Sequence, residues 1–398
     1  MGVLQLLGDL APIGASRAGG YDRFAWTSAD AECREWFTAA AVARGLDVEL
    51  DRNGNLWAWL GASLPGKALV IGSHLDSVPN GGAFDGPLGL ASAFAALDAL
   101  RSGDHVGFTP SRPIAIVAFA DEEGARFGIA CAGSRLLTGS LDAEKFRALK
   151  DADGVTAGEA VTAHGITNPG RDDERLDRIG EYIELHVEQG HLRSSAGVDG
   201  LTEDAPIGFA TEIWPHGRWR FDLVGQQNHA GTTRLDERRD PMLQLAGVIL
   251  EARAIAERNG VLATIGKVAI TPGAVNAIPG SVSAWLDARG PETADVERTV
   301  RELSESAGTS AILESLTERT AFDDDLTAAL GSALGGDIPK LPSGAGHDAG
   351  VLALAGIPSA MILVRNPSGI SHAPEEHAED ADVEAGVVAL AAAIRSRA

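Results

Sequence analysis

Cysteine is almost absent. Cys33 and Cys131 are the two in 398 residues. That is too few for a disulfide framework, so a stapled mini-domain is excluded and two reduced thiols are expected. Basic charge is scarce as well. Lysine occurs only at Lys67, Lys145, Lys150, Lys267 and Lys340, and Lys and Arg together number 33 against 56 Asp and Glu, a formal net charge of -23. A field of that sign repels phosphate backbones and anionic headgroups, which argues against nucleic-acid and membrane-surface partners. An anionic substrate stays open, because a few local Arg, His or metal charges govern one cleft. No apolar run approaches the roughly 20 residues that a bilayer span needs. The segment MGVLQLLGDLAPIGA has no basic stretch ahead of its short apolar run, so no signal peptide is expected, and Leu6 breaks the myristoylation pattern. A cytoplasmic location is the expectation. Internal repeats and low-complexity tracts are missing too.

What is present is an ordinary globular composition, 44% hydrophobic and 22% charged, long enough for two or three domains. Residues 28–45 read as a helix with Ser28 as N-cap and Gly45 as its stop. LDVELDRNGNLWAWLG alternates like a hairpin turning at Asn53-Gly54. ALVIGSHLDSV, PIAIVAFADEEGARFG and EYIELHVEQG each begin as a buried strand and turn polar at the end. Helices alternate with them, which indicates an α/β sheet with functional groups at its strand ends. From about Arg218 the pattern becomes β-α-β-β-α-β, suited to a small inserted sandwich. After about Asp325 the larger pattern resumes. The expected architecture is a catalytic domain, 1–211 and 326–398, with a mixed, mainly parallel sheet flanked by helices. Residues 212–325 form an inserted two-layer α+β domain of ferredoxin-like type.

Three of the ten histidines, His74, His186 and His372, stand where an apolar strand ends or just beyond, each with a carboxylate nearby. His74 and Asp76 form H-x-D, a spacing that lets a carboxylate orient a metal-binding imidazole. Asp85 lies in the glycine-rich GGAFDG. Glu122 and Glu123 are adjacent acids at a buried strand end, which costs free energy unless something neutralises them. Each feature alone reads as a solvated strand end or a capping histidine. Together they supply mixed N/O ligands, a bridging carboxylate and a free base, the parts of a two-metal hydrolytic site.

The stretches GSHLDSVPNGGAFDGPLG, FADEEGARFG, ELHVEQG, GQQNHAGTT, VNAIPG, PSGAGHDAG and SGISHAPEE carry a resemblance. In this order they resemble the M20 metallopeptidase clan, and within it the amidohydrolase branch of allantoate amidohydrolase and N-carbamoyl-L-amino-acid hydrolase, the hydantoinase/carbamoylase family. The resemblance runs from DRNGNLWA to the C-terminal helix. It implies two divalent ions per subunit, Mn²⁺ or Zn²⁺ first and Co²⁺ or Ni²⁺ as alternatives, held by His74, Asp85, Glu123, His186 and His372, with Asp85 bridging. It implies Glu122 as general base and Asp76 as the partner of His74. Gln189, His229, Asn276 and Arg289 match substrate-binding positions, with His229 also stabilising the oxyanion, and His347 is a further candidate. Asn276 also reads as a turn former before Pro279, Arg289 as a strand-end charge, and GAGHDAG as a tight loop. His105, His164, His216 and His377 read as surface residues. The inserted domain is implied to act as lid and homodimer surface.

Asp121 departs from the branch, which often has Asn there, and RNPSG ahead of Ser371-His372 departs too. The implied activity is hydrolysis of a ureido C–N bond in a small carboxylate-bearing substrate with ammonia release. Allantoate comes first, with N-carbamoyl-L-amino acids, β-ureidopropionate and ureidoglycolate as alternatives. A peptidase on the same scaffold and a metal-dependent binding protein without turnover are the rival readings.

Overall fold

Three apolar runs buried along their whole length, 68–74, 114–119 and 359–364, lie at the centre of one sheet. The structure, a computed structural model, describes residues 2–102 and 108–398; His105 lies outside the described residues. In chain order the strands are β1 (Asp47–Leu50), β2 (Leu56–Leu60), β3 (Ala68–His74), β4 (Ile114–Phe119), β5 (Ile179–Val187) and β6 (Ile207–Ile213). Next come β7 (His216–Val224), β8 (Asn228–His229), β9 (Leu262–Thr271), β10 (Ala277–Ile278), β11 (Ser281–Arg289) and β12 (Ile312–Thr317). The last are β13 (Thr320–Ala321), β14 (Lys340–Ser343) and β15 (Ser359–Val364).

The chain divides into two compact units, Met1–Glu212 with Ala321–Ala398, and Ile213–Thr320. In the first, the sheet order is β1-β2-β4-β3-β5-β15-β6-β13, with β14 also paired to β6. The central strands β4, β3, β5 and β15 run parallel. Antiparallel pairs lie on either side, β2 on β4 and β6 on β15. Strands buried on both faces are continuous hydrophobic runs, as these are. Helix Pro87–Leu100, buried nearly all round, packs on β3, β5, helix Val3–Leu10 and helix Asp380–Arg397. The return to this unit falls earlier than residue 326, because Phe322 and the helix Asp324–Leu334 already belong to it.

The second unit is a four-stranded antiparallel sheet in the order β12-β7-β11-β9, fourth, first, third and second of its long strands. Helices Pro241–Asn259 and Thr293–Ala307 cover one face through Phe221, Val248, Ile255, Leu286, Val300 and Leu303. The strict in–out alternation of β11 is what a one-sided sheet requires.

Two local expectations change. Ser28 is the first residue of helix Ser28–Val42 and Thr27 its N-cap. The hairpin does not turn on Asn53-Gly54 alone. Buried Asp51 organises a longer loop by accepting from the Asn53 and Asn55 amides and the Trp57 indole. His377 is exposed, whereas His164 and His216 are half-buried.

Candidate metal centre

Parallel pairing of β3 with β4 and β5 brings the carboxyl ends of these strands to one edge, the usual place for a site in such a sheet. His74 is the last residue of β3, and His186 is the last but one of β5. Asp121, Glu122 and Glu123 follow β4, and His372 follows β15. Asp85 enters from the loop before helix Pro87–Leu100.

The two buried imidazoles are fixed in one tautomer. His74 Nδ1 donates to the Asp76 carbonyl (3.0 Å), and His186 Nδ1 donates to the Val187 carbonyl (2.9 Å). Each Nε2 is thereby left with its lone pair, as a metal ligand needs. Both Nε2 atoms face one oxygen, Asp85 Oδ1, at 3.3 and 3.2 Å. The other oxygen, Oδ2, faces His372 Nε2 at 3.4 Å, and that nitrogen lies 3.5 Å from Glu123 Oε2. Two ligands about 2.1 Å from one tetrahedral cation stand about 3.4 Å apart. The donor set therefore fits two cations, His74-Asp85-His186 and Asp85-Glu123-His372, sharing Asp85.

Electrostatics point the same way. Burial alone would lower the His74 pKa, but Glu122, Asp85 and Asp76 raise it well above the ordinary value. Asp85 would be raised by burial, and its contacts with His186 and His74 hold it well below the carboxylate range instead. Burial pushes Glu122 and Glu123 well up, with Asp348 adding to the first and Asp85 to the second. Buried carboxyl oxygens without partners, both of Asp121 and Oδ2 of Asp348, add to the excess of negative charge. A pocket so rich in acid is stabilised by cations.

The family model for peptidase family M20/M25/M40 matches residues 70–396. The chain belongs to this family. It is 33% identical to an N-carbamoyl-L-amino acid amidohydrolase of Geobacillus stearothermophilus, over 97% of this chain and 95% of the relative. It is 32% identical to the allantoate amidohydrolase of Escherichia coli K12, over 96% and 94%. A hydantoinase/carbamoylase family amidase structure from Burkholderia vietnamiensis superposes with a TM-score of 0.88 at 31% identity, covering 100% of this chain and 96% of that one.

In this M20 chain Asp76 does more than expected of it. Its carbonyl, not its carboxylate, takes the His74 ring; the nearest carboxylate oxygen is 3.7 Å away. The carboxylate accepts the Glu122 and Glu123 amides (3.1 and 3.0 Å), fixing the acid pair. Glu122 Oε2 lies 3.9 Å from His74 Nε2, and Oε1 accepts from the Cys131 thiol (3.3 Å).

The remaining expected site residues are placed as follows. The Gln189 amide is turned inward and donates to Asp85 Oδ2 (2.7 Å) and Ser371 Oγ (3.1 Å). His347 is buried, its ring 4.6 Å from that of His186 in a T-shaped contact. Pairing of β8 with β10 sets His229 opposite Ala277, beside Asn276. His229 Nδ1 accepts the Gly231 amide, so Nε2 carries the proton. Arg289 is not with them. It ends β11, eight residues beyond Ser281, about 27 Å at the rise of a strand, and grips Asp287 with two nitrogens. His229 and Asn276 thus form one cluster and Arg289 another.

Residues not singled out from sequence also build the site. Glu184, two before His186, accepts the Ala349 amide, and Asp348 accepts the Ser134 hydroxyl. Glu376 accepts the Phe84 and Asp85 amides. All three lie inside the motifs ELHVEQG, GAGHDAG and SHAPEE, so the signal was present, but which acid faces the site is set by tertiary packing: Glu184 on β5, Asp348 at the start of helix Asp348–Leu354 and Glu376 in a turn.

Proposed function

We propose that this chain is a binuclear metal-dependent amidohydrolase that cleaves the ureido C–N bond of a small carboxylate-bearing substrate and releases ammonia. The observation that carries the reading is Asp85, whose two oxygens face two separate donor pairs. His74, Asp85, Glu123, His186 and His372 would hold the ions, Mn²⁺ or Zn²⁺ by their mixed N/O donors, which would supply an activated water and charge for the oxyanion. Glu122 is the carboxylate that takes a proton from the attacking water and returns it to the leaving nitrogen. His229, protonated at Nε2, donates to the oxyanion, and Asn276 beside it binds ureido polar atoms. Arg289 holds the substrate carboxylate, exchanging Asp287 for it; because a strand's length parts it from His229 and Asn276 within one chain, that pair is supplied by the second subunit of the homodimer proposed below. Gln189 and His347 shape the site through Asp85 and His186.

Allantoate is the proposed substrate. N-carbamoyl-L-amino acids are the second reading, favoured by the 33% identical relative. We also propose a homodimer through the second unit. Leu243 and Leu250, 74% and 73% exposed, lie one heptad apart on helix Pro241–Asn259, and edge strand β9 exposes Val268 and Ile270. Light scattering reads this directly. No helix among the described residues is long and apolar enough to cross a membrane, and both cysteines are free and buried. These features support a cytoplasmic enzyme.

The test is ammonia release by protein reloaded with Mn²⁺ or Zn²⁺, with allantoate, N-carbamoyl-L-amino acids and a dipeptide run side by side. Allantoate is expected to show the highest kcat/KM. Dipeptide cleavage alone would return the chain to the peptidases of its family. Two bound ions with no turnover of any of them would favour a binding protein.

A further inference from the structure

Asp85 and His372 lie 287 positions apart in the chain (372 − 85), and one side chain ties them together. Glu376 lies in the turn that follows His372 and is 5% exposed. Its Oε1 accepts two consecutive amides, Phe84 and Asp85, each at 2.9 Å. Its Oε2 accepts the Ser371 hydroxyl at 3.2 Å, and that hydroxyl lies 3.4 Å from Asp85 Oδ2. The loop comes this close because residue 82 is glycine. A Cβ there would stand 2.2 Å from Glu376 Oε1 and 2.3 Å from its carboxyl carbon.

We propose that Glu376 is a positioning residue that sets the bridging carboxylate of Asp85 in register with His372, and so governs the cation held on the Glu123-His372 side. The proposal rests on the reading that Asp85 bridges two cations. The selectivity follows from what holds each ligand. His74 and His186 lie on β3 and β5, fixed by strand pairing. His372 lies outside any strand, in a left-handed backbone conformation (φ 57°), and is half exposed. Removal of Glu376 frees the Asp85 backbone and the His372 turn and leaves the strand-borne histidines in place.

Co²⁺ titration of the metal-stripped protein, followed by its visible absorption, separates the two sites. In Glu376→Ala the second equivalent should bind roughly 10–100-fold more weakly, the scale for loss of a group that orients a metal ligand. The first should be unchanged, and kcat should fall more than KM changes. Glu376→Gln should restore the second equivalent. Its oxygen still accepts both amides, while its NH₂ donates to Ser371. Gly82→Ala, which pushes the carboxyl aside, should reproduce the alanine defect.

Two equivalents bound by Glu376→Ala with wild-type affinity would overturn the proposal. So would loss of both equivalents together with a collapse of the metal-free Tm, since Glu376 would then merely pack. A glutamine variant that behaves like alanine would overturn the acceptor geometry. Wild-type protein that binds a single Co²⁺ would instead defeat the bridging reading on which the proposal stands.

Discussion

Gly86→Ala places one methyl group against the metal centre and tests the geometry of His74. Gly86 precedes helix Pro87–Leu100 with φ 85° and ψ −62°, a conformation that L residues avoid. A Cβ there would lie 2.5 Å from His74 Nδ1 and Cε1. Ordinary contact begins near 3.4 Å, so the ring must retreat by about 0.9 Å, against a metal–ligand tolerance of about 0.2 Å. The ring cannot retreat that far and still give its Nδ1 proton to the Asp76 carbonyl. The strained backbone costs about 1–3 kcal/mol of stability whether or not metal is bound. Displacement of the imidazole should cost the His74-His186 cation at least about 10²-fold in affinity, or about 2.7 kcal/mol. Calorimetric metal titration reads the affinity, and thermal unfolding of the stripped protein reads the strain. A variant that keeps its fold, binds two ions as tightly as wild type and turns over normally would refute the placement of His74 as a ligand.

Four further outcomes are expected. Glu122→Gln should keep both ions and lose roughly 10²–10⁴-fold in kcat, the scale of general-base removal; near-normal turnover would discard the base. Arg289→Ala should raise KM for carboxylate substrates with little effect on kcat, and an unchanged KM would remove Arg289 from substrate binding. Metal removal should make stability fall as pH rises from about 5 to 8. The raised His74 and His186 pKa values stabilise the fold below their ordinary values, and that stability is lost as pH climbs through the folded ones. The raised Glu122 and Glu123 carboxyls destabilise it over the same climb, so a flat metal-free Tm would contradict the buried charge. Asp121→Asn should raise the Tm of the stripped protein at pH 8, by about 1 kcal/mol of stability, with the gain vanishing near pH 4. The Asp121 carboxyl is buried with neither oxygen hydrogen-bonded, on a backbone at φ 54° that Asn also tolerates, and burial with Asp76 and Asp30 pushes its pKa well up. No gain at either pH would mean that its charge is compensated.

The α/β class, the strand ends and the residue types gathered there were legible in the local pattern of the chain. A buried strand is a short apolar run, and the polar residue that ends it must sit at the sheet edge. That made His74, His186 and the Glu122-Glu123 pair legible. The β-α-β-β-α-β order was legible for the same reason, since period and length are local properties. Tertiary structure alone decided how these groups are shared. It put His74 and His186 on one oxygen of Asp85 and His372 on the other, because that division depends on where a loop and a distant turn meet. It gave the Asp76 carboxylate to two backbone amides, turned Gln189 inward and placed His347 against His186. It separated Arg289 from His229 and Asn276 by the length of a strand, although all three lie within 60 positions of one another in the chain (289 − 229). Glu376 stayed illegible as a positioning residue because its partners, the amides of Phe84 and Asp85, are 292 and 291 residues away. Hydrogen bonds to backbone leave no signature in side-chain chemistry, so only the folded chain reveals them.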